Sequence, residues 1–250
     1  MRAGRSFDEG YGRWRSSAAH ASLLGQGLPP QVEPFSFVPL EGIELLATLL
    51  GLAPGHTLVD LGCGRGGPGM WLAQQSGAKL IGVDASVVAV RDAEQRRRFF
   101  PRLASAQFQV ADVAATGLVD RCADAVVSID VIQLLDDPAG LLGEAARLLR
   151  RAGRLVLTTW EGHGAAPGRF PRDLAGLIES VGLEVATSIE QPRWLERQLD
   201  IYLAAAAAEA SGDGDPALTD LAEEGRRWQG WHDQTRRVVA VARLPASAGP

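Results

Sequence analysis

Three carboxylates, each at the end of an apolar run, are the groups in this 250-residue chain best placed to do chemistry. Asp60 sits in Leu58-Val59-Asp60-Leu61 and leads into a turn of close glycines, Gly62-Cys63-Gly64-Arg65-Gly66-Gly67. Asp84, seventeen residues after Gly67, closes Leu80-Ile81-Gly82-Val83, and Asp112 follows Gln107-Phe108-Gln109-Val110-Ala111. Glycines at this density let backbone N–H groups come close to a ligand. An acid at each of neighbouring strand ends suits a ligand that offers ribose hydroxyls, an exocyclic amine and an ammonium group. Any one of these acids alone is explained as well by a helix cap after a strand. All three at successive strand ends point to one ligand.

Gly62-x-Gly64-x-x-Gly67 formally meets the dinucleotide fingerprint, with Asp84 at about the right remove for a ribose. Three features turn the reading away from a nicotinamide enzyme. Asp60, two residues before the first glycine, would face the pyrophosphate of a dinucleotide, a like-charge contact; it suits the α-ammonium of a methionine moiety. Asp112 suits the amine of an adenine. The chain also closes on a lone strand after helical segments, without a second βαβαβ half. S-adenosylmethionine carries every group these acids ask for.

The elements that must hold these residues alternate. Residues up to about 39 read as irregular or loosely helical. Ile43, Leu46, Ala47 and Leu50 then repeat at helical spacing before Gly51. Strands are predicted at 57–61, 79–83, 106–111, 123–129 and 154–160, with helices at 69–75, 87–100 and 138–150. The strands are short and continuously apolar, as in a parallel sheet covered on both faces. Such alternation predicts an α/β, Rossmann-like, doubly wound sheet with its ligand at the carboxyl ends of the strands. Beyond Trp160 come a glycine-rich loop, a helix at 171–181, a strand at 183–189, helical segments at 194–210 and 216–231, and a closing strand at 237–244.

Val59-Asp60-Leu61-Gly62-Cys63-Gly64-Arg65-Gly66-Gly67, Gly82-Val83-Asp84-Ala85-Ser86, Ala111-Asp112-Val113 and Asp124-Ala125-Val126-Val127-Ser128-Ile129-Asp130 together resemble class I S-adenosylmethionine-dependent methyltransferases. The nearest group is the small-molecule enzymes of bacterial secondary metabolism, related to the ubiquinone and menaquinone methyltransferases. The resemblance runs from about residue 34 to 243 and is strongest up to Trp160. It implies a seven-stranded sheet whose last strand is antiparallel, an N-terminal lid over residues 1–40, and a methyltransferase domain over 41–250 with a helical insertion at about 192–232. It also implies roles. Asp60 with the backbone of Gly62, Cys63 and Gly64 holds the methionine end, and Asp84 takes the ribose with Ala85 beside the adenine. Asp112 and Val113 frame the adenine from the other side, and Ile129 and Asp130 approach the amino-acid end. The product would be S-adenosylhomocysteine. The motifs are specific for the cofactor and say little about the acceptor.

A base is needed only if the acceptor must lose a proton of high pKa. His163, with Glu161, follows the fifth predicted strand on the ligand side and is the candidate pair; an exposed loop histidine is the plainer reading. Gln133 stands where relatives often carry histidine. Tyr11, Trp14 and Phe37, with Phe35, form either a lid that excludes water or an arm packed on the sheet. Trp160 and Tyr202, with Trp194, Trp228 and Trp231, line a pocket for an apolar acceptor or form the core of a helical cap.

Composition bounds the rest. A net charge of −5 gives no basic footprint for nucleic acid, and the arginines at 96–98 point different ways around a helix. The position after the fourth strand reads Ser128-Ile129-Asp130-Val131 and not the Asn/Asp-Pro-Pro-Tyr/Phe turn of enzymes that methylate base amines. No apolar window reaches membrane-span length, no signal-peptide core is evident, and no metal-ligand set is assigned. Two cysteines, one inside the glycine turn, suit a reducing cytoplasm. The expectation is a small-molecule methyltransferase, with a non-methylating S-adenosylmethionine-binding cyclase or partner as the alternative. Oligomeric state stays open.

Overall fold

The computed structural model describes residues 2–33, 35–212 and 214–245, with side chains from residue 7 onward. Two helices open the chain, α1 (Arg2–Trp14) and α2 (Ala18–Gly25), where the sequence suggests only loose helix. Ser17 caps α2, accepting from the His20 N–H, and so ends one helix and starts the next. The amphipathic α3 (Leu40–Leu50) follows and ends at Gly51 in the left-handed region.

Five parallel strands then build the sheet that holds the acids: β1 (Thr57–Leu61), β2 (Lys79–Asp84), β3 (Ser105–Val110), β4 (Ala123–Ile129) and β5 (Leu149–Gly162). Helices α4 (Gly67–Ser76), α5 (Val87–Arg96) and α6 (Pro138–Leu148) are among the connections. The last three helices are α7 (Leu174–Glu179), α8 (Pro192–Ala210) and α9 (Pro216–Gln229), and the last two strands are β6 (Glu184–Glu190) and β7 (Thr235–Arg243). The sheet order is β3-β2-β1-β4-β5-β7-β6, with β7 antiparallel to both β5 and β6. This is the expected seven-stranded α/β architecture. The order steps outward on either side of β1 and β4, so a crevice opens where their carboxyl ends diverge.

Alternating side chains feed both faces of the sheet. Leu58, Leu80, Val127, Val156 and Val239 pack with Ile43, Leu46 and Leu50 of α3 and with Met70 and Leu72 of α4. Val59, Leu61, Val126, Leu155 and Leu157 pack with Leu141, Ala145 and Leu148 of α6. Asp60 shares its parity with Leu58 and therefore emerges on the α4 side. A third cluster, including Phe37, Trp160, Phe170, Tyr202 and Trp228, joins the helical cap of α8 and α9 to the end of β5.

Several boundaries differ from expectation. β5 starts at Leu149 because that residue pairs with Ala123 ahead of a register shift in β4. α5 ends at Arg96, with Arg97–Phe99 a separate 3₁₀ turn. α7 is only Leu174–Glu179, started by the Asp173 side chain on the Gly176 N–H.

Candidate functional site

A cleft of about 770 Å³ opens at the carboxyl ends of β1, β2, β3 and β4. That volume falls in the range of roughly 300–1,000 Å³ usual for small-molecule sites. Its walls bring together Asp60, Gly62, Cys63, Gly64, Asp84, Ala85, Asp112, Val113, Ile129 and Asp130.

Asp60 is the most unusual group there. It is 2% exposed, yet no hydrogen bond or ion pair meets its carboxylate among the described residues. Burial, followed by the neighbouring charge of Asp84, pushes its pKa up to about 7. A buried carboxylate without a partner is costly, and a cation entering the cleft relieves that cost. Gly69 in the first turn of α4 makes room for it: a Cβ there would lie 2.3 Å from Asp60 Oδ2.

Asp84 is held differently. Its Oδ2 accepts from the Gly64 N–H at 2.8 Å and its Oδ1 from the Ser86 N–H at 2.9 Å. Burial raises its pKa against those two bonds. Each oxygen keeps a further lone pair for a hydroxyl donor. The glycine turn is thereby tied to the tip of β2, and the Gly62 and Cys63 N–H groups both bond the Val83 carbonyl. Gly62 has φ +80°, and a Cβ on it would lie 2.3 Å from Val131 Cγ2. Both conditions demand glycine, and they lock the β1 turn against the β4 turn.

Asp112 is exposed at the cleft edge and accepts from the Ala114 N–H at 2.9 Å, while Val113 is buried beside it. Cys63 is buried in the turn, and burial raises its thiol pKa. Asp130 is held by distant partners. It lies in the cleft wall, but its carboxylate is committed to Arg237 Nη2 at 2.9 and 3.0 Å and to Thr158 Oγ1 at 2.6 Å. Arg237 is wholly buried, with its guanidinium 3.8 Å from the Trp160 ring centroid. Asp130 adopts φ +58°, uncommon for a residue with a side chain. The pair holds the β4 turn in shape.

The N-terminal segment contributes to the wall of the cleft. Phe7, Asp8, Tyr11 and Phe35 line it, and Tyr11 packs edge-on to Phe35 at 4.8 Å. Burial, then Asp84, raises the Tyr11 pKa well above its ordinary value. Asp8 accepts from Ser86 Oγ at 2.5 Å and the Val88 N–H at 3.3 Å, so α1 is docked on the first turn of α5. Glu33 pairs with Arg65 at 3.0 Å and also with Arg96, fastening the segment after α2.

Other expected site residues lie elsewhere. His163 and Glu161 are not in the cleft wall. Glu161 accepts from the Leu174 N–H at 2.8 Å and pairs with Arg236 at 2.7 Å, which makes it an anchor for α7 and β7. His163 is exposed, with its backbone bonded to Gln234. Trp14 is also outside the wall, stacked on His20 and bonded through Nε1 to Asp220 at 3.3 Å. Phe37, Trp160 and Tyr202 are buried in the cap cluster: Trp160 Nε1 donates to Gln198, whose amide donates to Tyr202 Oη. Gln133 is buried and donates to the Asp130 carbonyl at 2.6 Å. Sequence reasoning missed Asp8, Glu33 and Arg65. No pattern flags Asp8 or Glu33; Arg65, a long cation within a run of glycines, is a signal that could have been used.

A sequence profile of the family described as methyltransferase domain matches residues 59–157. The chain is 30% identical over 129 residues to methyltransferase GfsG of Streptomyces halstedii, covering 52% of this chain and 46% of that one. It spans less than half the length of the curated relatives it matches. Phosphoethanolamine N-methyltransferase 2 of Haemonchus contortus, solved with phosphomonomethylethanolamine and S-adenosylhomocysteine, has a similar fold. The TM-score is 0.74 at 17% identity, covering 96% of this chain and 60% of that one. The [4+2]-cyclase SpnF aligns with a TM-score of 0.68 at 21% identity, covering 82% and 80%. Residues 59–157 match the methyltransferase-domain profile, and the sheet order and the acids at the ends of β1 and β2 agree with that match.

Proposed function

We propose that the protein binds S-adenosylmethionine in this cleft and moves its methyl group to an O, N or C atom of a small-molecule acceptor. The observation that carries the reading is Asp60, buried and unpartnered in the wall of a cleft that Asp84 and the glycine turn complete. Its charge suits the ammonium of the methionine end. Asp84 keeps lone pairs for the ribose hydroxyls, Ala85 and Val113 supply apolar faces for the adenine, and Asp112 accepts from its amine. Ile129 and the backbone at Asp130 close the methionine end.

Bound there, S-adenosylmethionine supplies a methyl group already activated on a sulfonium. The acceptor's lone pair forms the new bond to that carbon as the carbon–sulfur bond breaks, with its electron pair left on sulfur. What the chain contributes is alignment and exclusion of water, and in-line positioning is worth several kcal/mol. Residues 1–40 act as the lid, since Tyr11 and Phe35 cover the cleft where water would otherwise enter. No histidine lines the cleft among the described residues, which supports an acceptor that needs no histidine base.

That same observation favours a second reading, a protein that binds S-adenosylmethionine and catalyses a reaction without methyl transfer. Calorimetry with S-adenosylhomocysteine, followed by incubation with methyl-labelled S-adenosylmethionine and metabolite fractions, separates the two. Bound product and label in a metabolite support transfer; substrate consumed without label supports the second reading; binding of NADH in place of S-adenosylhomocysteine refutes both. The unbridged Cys63 and Cys122 support a reducing cytoplasm as the site of action, and the net charge of −5 supports a partner other than nucleic acid. No described helix is long and apolar enough to cross a membrane.

A further inference from the structure

The charge on the cleft wall bears on which acceptor can enter. Arg65 is the only basic side chain in that wall among the described residues, and it is held by Glu33 at 3.0 Å and Asp92 at 3.2 Å. No described cation is left over in the wall to meet the phosphate or carboxylate of an acceptor, which, unlike S-adenosylmethionine, carries no sulfonium and ammonium of its own to balance it. The acids, by contrast, exceed their partners: with Asp60 given to the donor's ammonium, Asp136 still stands exposed at the rim with none among the described residues. Clustered charge of one sign in a low-dielectric cleft repels a ligand of that sign, and an anion buried without a counter-charge is strongly disfavoured. The rim itself is apolar. Val87, Val110 and Leu134 line it and are 51%, 48% and 49% exposed, three of the large hydrophobic side chains most open to water. Exposed apolar surface gathered at the mouth of a cleft marks a contact for an apolar ligand.

Resting on the methyl-transfer reading above, we propose that the acceptor is an apolar molecule that brings no phosphate or carboxylate into the cleft and reacts through an uncharged or amine group. The phosphorylated amine held by the Haemonchus contortus neighbour is therefore the wrong class for this chain. A proton released from the acceptor leaves through the open rim to water.

The test splits a metabolite extract on an anion exchanger at neutral pH into an unretained pool and a retained, anionic pool. Each is incubated with the full chain and methyl-labelled S-adenosylmethionine. The unretained pool should accept at least about tenfold more label, in products that partition into organic solvent. Equal or greater label in the retained pool would overturn the proposal. A second measurement needs no natural acceptor: inorganic pyrophosphate should leave the melting temperature of protein saturated with S-adenosylhomocysteine unmoved, and a stabilising shift would overturn it. Calorimetry with S-adenosylhomocysteine on the same preparation reads the donor site separately. Lost binding there strikes the methyl-transfer reading, whereas label in anions strikes only the acceptor class.

Discussion

Replacing Asp60 with asparagine should make the ligand-free protein more stable, and only above a definite pH. The wild-type carboxyl titrates near 7 in the fold because it is buried beside Asp84, against about 3.9 in an unfolded chain. Between those values the native state binds more protons than the unfolded state, so stability falls as pH rises through the window and levels off above about 7. A displacement of about three pKa units corresponds to as much as about 4 kcal/mol. The substituted amide cannot ionise, so the difference in unfolding free energy, Asp60→Asn minus wild type, should be near zero at about pH 4 and grow to a few kcal/mol by about pH 8. Urea unfolding of both proteins at several pH values measures it, and the difference cancels the titrating groups that do not interact with Asp60. The same argument requires a cationic ligand to drive Asp60 into its charged form, so near pH 6 binding of S-adenosylhomocysteine should release protons, seen as a binding enthalpy that depends on the buffer. A stability difference that stays flat with pH would refute the reasoning.

Three further substitutions probe the surroundings. Gly69→Ala places a methyl 2.3 Å from Asp60 Oδ2 and should weaken S-adenosylhomocysteine binding by about tenfold or more in calorimetry; unchanged affinity would free Asp60 of that role. Arg237→Met strands the buried Asp130 carboxylate and should cost about 3–5 kcal/mol in urea unfolding, where a loss below about 1 kcal/mol would mean that Asp130 finds another partner. His163→Ala should leave turnover at the wild-type rate between about pH 6 and pH 9, and a lost basic limb in the pH profile would return His163 to the reaction.

The sheet was largely legible because its signals are local. Apolar runs of strand length ended by Asp60 and Asp84 admit few other readings, and 57–61 and 123–129 were readable to the residue. The glycine turn was equally plain from the spacing of Gly62, Gly64 and Gly67, whereas the crowding of Gly69 against Asp60 showed only in the fold. What stayed hidden depends on distant partners. Glu161 lies at the carboxyl end of β5, but only the fold reveals that α7 and Arg236 claim it. Asp130 stands at a strand end like the other acids, and a cation from β7, 107 residues onward, takes its charge. The clue was Arg237 itself, an arginine beside Val238-Val239-Ala240-Val241 that must find a buried partner. The aromatic residues could not be divided in advance between lid and cap, because Phe35 faces the cleft and Phe37, two residues on, faces the cap core.

A crystal structure with S-adenosylhomocysteine tests the central claim most directly. The amino group should lie within hydrogen-bond reach of the Asp60 carboxylate, with the ribose hydroxyls on Asp84 and the adenine between Ala85 and Val113. Density for the ligand away from Asp60, or a ribose that leaves Asp84 bonded only to Gly64 and Ser86, would contradict it.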